Sequence, residues 1–118
     1  MARITVEQYH ECYELGKKII EGSMEIEDAV RCLYKSGMSD NSARMYLRSV
    51  RAMLTGERFT ATIKEDALAY YLTQIYTEHG AEGLKRALHS VREYLEYQKD
   101  KNGLPGSRKI YEDFYEIL

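Results

Sequence analysis

The sequence contains no tryptophan, a single proline and only two cysteines in 118 residues. So little proline leaves few points at which a helix must break, because each internal proline removes a backbone donor and clashes with the preceding turn. Cys12 and Cys32 allow at most one disulfide, and both sit among apolar neighbours at helical spacing, the setting of free buried thiols. No apolar run approaches the roughly 20 residues that a membrane-spanning helix needs. The opening MARITVEQYH has no apolar signal core. The expectation is a cytoplasmic protein with no membrane partner.

Charge of one sign is also missing. Seventeen basic and nineteen acidic side chains leave a net charge of −2. No global field therefore draws the chain to nucleic acid, and any such binding must come from local clusters. Catalytic patterns are absent as well: His10, His79 and His89 lie in different segments without metal spacing, and there is no phosphate-cradling glycine loop, nucleophile motif or HExxH. Glu25, Glu27 and Asp28 belong at a helix N-terminus, where carboxylates favour the dipole. The sequence points to no catalytic residue, no metal and no cofactor, and so to a chain that is not itself an enzyme.

What is present is helical. An apolar fraction of 44% and a charged fraction of 31% suit one globular core. Thr5 and Gln8 have capping-box spacing ahead of Tyr9, Cys12, Tyr13, Leu15, Ile19 and Ile20, and Gly22 closes that segment. A second helix is predicted over 25–36 with Gly37 as its stop, and a third over 40–55 between Ser39 and Gly56. Residues 57–61 read as a loop with room for a short extended piece. Thr62 and Glu65 suggest another capping box, opening a fourth helix that runs to 79. After Gly80, a fifth helix is predicted over 81–99. The fold class expected is all-α: a compact bundle of about five helices built from two similar helical hairpins, plus a short C-terminal helix. The domain is placed at 1–99, a linker in the polar stretch KDKNGLPGSR at 100–108, and an amphipathic helix at 109–118, with Ile110, Phe114 and Ile117 or Leu118 free to pack.

The hairpins rest on a repeat. LRSVRAML at 47–54 returns as LHSVREYL at 88–95, and each follows a glycine and a helix with Glu-Asp-Ala near its start. The leucines and valines need only a core. The basic residues need something else. Arg44, Arg48 and Arg51 share one helix face at i, i+4 and i+7, and Lys85, His89 and Arg92 repeat the spacing with Arg86 alongside. Such stripes either sit in solvent or bind phosphates, where guanidinium groups displace counterions. The stretch around Gly37 also has the form of a helix-turn-helix, which would put Ser39, Asn41, Ser42 and Arg44 at the start of a recognition helix, although Asp40 adds a carboxylate there. Tyr70, Tyr71, Tyr76, Tyr94 and Tyr97 cannot all face one core, so an exposed subset is available for stacking or partner contact.

The runs GMSDNSARMYLRSVRAMLTGERFTATI and YYLTQIYTEHGAEGLKRALHSVREYLEY resemble the N-terminal helical domain found ahead of some McrA-like HNH endonucleases, over about residues 4–98. YLRSVRAML and LKRALHSVREYLEY are also similar, more distantly, to the core-binding domain of tyrosine recombinases, whose paired helical hairpins clamp DNA. The resemblance implies an accessory DNA-binding module, either part of a modification-dependent restriction enzyme or a standalone relative of one, with a downstream catalytic domain as partner. No HNH residues are available here to carry that chemistry. Taken together, the expected function is a non-catalytic module that contacts duplex DNA through Ser39, Asn41, Arg44, Arg48, Arg51, Lys85, Arg86, His89 and Arg92. The alternative is a helical interaction or dimerisation module, with a homodimer as its simplest form.

Overall fold

The computed structural model describes residues 4–98 and 104–118. These form five helices: α1 (Val6–Glu21), α2 (Ile26–Lys35), α3 (Asp40–Thr55), α4 (Glu65–Gln98) and α5 (Pro105–Tyr115). Among the described residues there is no strand, and residues 57–61 are irregular, without the extended piece that the sequence allowed.

The first helix starts on the expected reciprocal cap. The Gln8 N–H donates to the Thr5 hydroxyl at 3.1 Å, and the Thr5 N–H donates to Gln8 Oε1 at 2.8 Å. Gln8 does more than cap, because its Nε2 donates to the Ser36 carbonyl at 2.8 Å and so pins the start of α1 to the end of α2. Cys12 is buried and Cys32 half-buried, both as free thiols. Burial pushes the Cys12 thiol up to about 12, so it stays protonated at neutral pH.

The core centres on α3, whose Ala43, Tyr46, Leu47, Ser49, Val50, Ala52 and Met53 are buried against α1, α2 and α4. At the crossing with α1, a Cβ on Gly16 would stand 2.6 Å from Val50 Cγ1, so the two backbones approach only because residue 16 is glycine. Burial on three sides leaves α3 one strip of surface. Asp40, Asn41, Arg48, Arg51 and Thr55 are exposed on it, and Arg44 is half-buried.

The second predicted hairpin is two helical arms, 65–79 and 81–98, that meet at a sharp corner within α4. Straight, the 34 residues of α4 would extend about 50 Å, but the longest dimension of the molecule is 37 Å. The corner is Gly80, at φ 68° and ψ −159°, a backbone region that essentially only glycine enters. Nothing lies within 4 Å of where its Cβ would be, so the requirement is conformational. The arm 65–79 meets α1 through stacked rings: Tyr13 on Tyr71, and His10 on Tyr70 at 3.7 Å between centroids. The Tyr71 hydroxyl donates to the Tyr9 carbonyl inside this panel. Tyr71 and Tyr94 are fully buried, Tyr70 is half-buried, and Tyr76 and Tyr97 are the exposed pair of the five tyrosines singled out from the sequence.

Three expectations are corrected. Thr62 does not cap a helix: α4 begins at Glu65, with the Lys64 carbonyl accepting from the Leu68 N–H, while the Lys64 N–H donates to the Tyr46 hydroxyl at 3.0 Å. The final helix begins at Pro105, not at 109, so residues 105–108 of the expected linker are helical; Pro105 suits a first turn, where its missing N–H costs nothing. Gly106 lies against the Glu65 carboxylate, docking the start of α5 on the start of α4. Residues 99–103, which hold the expected end of the fifth helix and all the rest of that linker but Leu104, lie outside the described residues. Third, Ile110 and Phe114 pack on the core as expected, but Ile117 and Leu118 are both exposed, as is Ile20 of α1.

Candidate nucleic-acid interface

The two basic stripes differ once folded. On α3 the first arginine is consumed. Arg44 NH1 and NH2 donate to the two Glu27 oxygens at 2.9 and 2.8 Å, and its Nε donates to Asp40 at 2.9 Å. These hydrogen bonds, with the attraction behind them, hold the Glu27 carboxyl below its ordinary range and raise the Arg44 guanidinium further. Arg44 is therefore a tie between α2 and α3, not a free phosphate ligand. The i, i+4 pairing with Asp40 neutralises this end of the stripe within its own helix.

The guanidinium groups of Arg48 and Arg51 have no hydrogen bond or ion pair among the described residues, and both side chains are exposed. They form a ridge between two clefts. On one side, a cleft of about 360 Å³ is lined by Met45, Ala52, Phe59 and Ala61, with Arg48, Arg51 and Arg58 beside them. On the other, a cleft of about 260 Å³ has Ile19, Met24, Ile26 and Leu47 in its walls. Each also contains one carboxylate, Glu57 or Glu25, and neither forms an ion pair with the ridge.

The segment 57–61 builds the first cleft because it is strapped to the arm 81–98 of α4. Ser90 Oγ donates to the Glu57 carbonyl, Gln98 Nε2 donates to the Thr60 carbonyl at 2.9 Å, and Phe59 stacks on Tyr94 at 4.3 Å. The Arg58 guanidinium lies 5.3 Å from the Tyr97 ring centroid. Arg86 packs its stem against Gly56, where a Cβ would be 2.9 Å from its Cγ. Arg48, Arg51, Arg58 and Arg86 thus gather around the end of α3 and the strap.

Lys85, His89 and Arg92 are exposed on the outer face of the 81–98 arm, and Glu82, Glu93 and Glu96 are interspersed on that face. None of these three lines either cleft beside the α3 ridge. The helix-turn-helix expectation meets a different obstacle. Ser39 caps α3 by accepting from the Ser42 N–H, and Asn41 Nδ2 contacts Met45 Sδ. With Asp40 and Glu27 closing on Arg44, the first turn of α3 is its acidic end, whereas a recognition helix makes its groove contacts there. The cations lie at the other end.

Sequence reasoning missed Arg58. It belongs to no periodic stripe, and only the strapping of 57–61 onto α4 brings it beside Arg48. No group of three or more metal-capable side chains occurs among the described residues, and no helix is long and apolar enough to cross a membrane. The described residues form an all-α helical bundle that carries a basic ridge, Arg48 and Arg51, with no ion pair among those residues. Comparison with protein-family models, curated proteins and solved structures returns no match, so the likeness to McrA-like endonucleases and to recombinase core-binding domains gains no support from them.

Proposed function

We propose that this chain is a non-catalytic nucleic-acid-binding module whose main contact is the ridge of Arg48 and Arg51 together with Arg58 and Arg86. The observation that carries the reading is that Arg48 and Arg51 stand on the one exposed strip of the central helix with no acidic partner among the described residues. Lys17, Arg31, Arg44 and Lys109 are held in ion pairs, whereas Arg48 and Arg51, unpaired on a rigid helix, are ready to meet phosphates without first breaking a salt bridge. Lys85, His89 and Arg92 flank this contact and extend it weakly, since glutamates interrupt their face. Ser39, Asn41 and Arg44 serve the fold of the α2–α3 unit. The role as an accessory to a DNA-cleaving protein rests on the sequence resemblance.

The test is duplex DNA binding by fluorescence anisotropy across a salt series. Three to four phosphate contacts give a slope of log affinity against log salt of about −3 to −4. Arg48→Glu lowers affinity and flattens that slope by about 1, and Arg92→Glu has a smaller effect on both. Binding that ignores salt, or an Arg48→Glu protein that binds like the parent, overturns the reading.

A further inference from the structure

The cleft between α3 and the strap 57–61 has features that an intact duplex does not use. Its volume, about 360 Å³, falls at the lower end of small-ligand clefts, which run roughly 300–1,000 Å³. Met45 and the largely buried Ala52 and Phe59 supply the apolar part of its lining, and Arg48, Arg51 and Arg58 with Ser49 and Thr60 supply the polar part. Because 57–61 is irregular, its backbone is not consumed by a helix. The N–H groups of Arg58, Phe59, Thr60 and Ala61 have no hydrogen-bond partner among the described residues. Tyr97 lies beneath the Arg58 guanidinium and presents that flat cation at the rim.

A ligand that satisfies these groups joins a flat apolar body to an anion and brings acceptors for backbone donors. An unpaired nucleotide does so; a duplex offers only the anion, with its bases stacked inside. An acidic peptide supplies charge, but its carboxylates ride on flexible stems with no flat body attached to them. Charge complementarity also favours phosphate, since three guanidinium groups face the single carboxylate of Glu57.

We infer that this cleft receives one unpaired nucleotide, its base against Met45, Ala52 and Phe59 and its phosphate between Arg48 and Arg58. The inference rests on the nucleic-acid reading above and makes it specific: the module prefers nucleic acid that exposes a base. Aromatic and apolar contact with a base is worth enough to give about a tenfold preference over intact duplex.

The experiment compares three labelled probes at one salt concentration: a duplex, the same duplex with one bulged nucleotide, and the same bulge with its base removed. The bulged probe is expected to bind about tenfold more tightly than the other two. Ala61→Trp, which fills the cleft from a half-buried loop position, brings the preference below twofold, and Arg58→Gln weakens the bulged probe most. Circular dichroism confirms that each variant is folded, and the abasic comparison uses only the parent protein. Equal affinity for all three probes overturns the nucleotide cleft and leaves the phosphate reading standing. Displacement of the bulged probe by an acidic, phenylalanine-containing peptide at lower concentration than by a single-stranded oligonucleotide also overturns it. No binding to any probe removes both readings together.

Discussion

The repeated phrases LRSVRAML and LHSVREYL fold into equivalent interiors and unlike exteriors. Leu47 and Leu88, Ser49 and Ser90, and Val50 and Val91 are all buried, while Arg48 and His89, and Arg51 and Arg92, are all exposed. Core packing therefore treats the copies alike. Their surroundings do not. The first copy lies in a helix enclosed on three sides, so its basic residues occupy a narrow strip between clefts. The second lies on an outer arm whose wide surface mixes glutamates with its cations. Repetition of a sequence pattern thus transmits burial faithfully, whereas the electrostatic character of a face depends on which neighbours fold against it.

The turns joining each pair of helical segments differ too, and substitution there should produce the largest effect. Gly37 has φ 100° and Gly80 has φ 68° with ψ −159°. Gly80→Ala puts a side chain into a backbone region reserved for glycine and should cost about 1–3 kcal/mol. For a domain of this size that lowers Tm by several degrees in thermal unfolding. The corner must also persist if the 81–98 arm is to keep its place, so the same variant should loosen the strap. An unchanged Tm would break the comparison, because α4 would then reach its shape without the glycine.

The serines at matched positions sharpen it further. Ser49 Oγ donates to the Met45 carbonyl within its own helix, whereas Ser90 Oγ donates to the Glu57 carbonyl across the molecule. A hydroxyl that bonds back to its own turn adds little, since that carbonyl already has a helical partner. Removing the Ser90 hydroxyl instead leaves the Glu57 carbonyl without its donor, at a cost of about 1–2 kcal/mol. Ser90→Ala should therefore destabilise in urea unfolding, and Ser49→Ala should stay within about 0.5 kcal/mol of the parent. Equal effects would mean that the strap contributes nothing beyond the helix it crosses.

Much of this was open to a sequence reading, but unevenly. The limits of α3 were legible because Ser39 and Gly56 act locally, through a side-chain cap at one end and a left-handed residue at φ 85° at the other. The exposed strip was legible for the same reason, as helical period alone places 44, 48 and 51 together. What lay hidden depends on distant partners. Glu27 reaches Arg44 across 17 residues, and the Tyr46 hydroxyl takes the Lys64 donor from 18 residues away. Arg58 joins the ridge only after Ser90, Tyr94 and Gln98 hold its segment in place.

The smallest effect expected separates the basic residues that begin each stripe. Arg44 is matched in the repeat by Lys85, yet Arg44 holds two carboxylates while Lys85 has no ion pair among the described residues. The Glu27 carboxyl is lowered from 4.5, first by its hydrogen bonds to Arg44 and then by the charge itself. A carboxyl held lower in the folded state than in the unfolded one stabilises fully above its ordinary range, and that contribution fades as pH falls through the folded value. The pair is exposed, so the gain is small and salt weakens it. Thermal unfolding of Arg44→Gln should therefore show a Tm deficit near neutrality that narrows as pH drops below 4.5, and that shrinks in high salt at pH 7. Lys85→Gln should show no such narrowing. A deficit that persists unchanged into acid would mean that Arg44 acts through packing of its stem, and the electrostatic difference between the two copies would then reduce to Arg48, Arg51 and their neighbours.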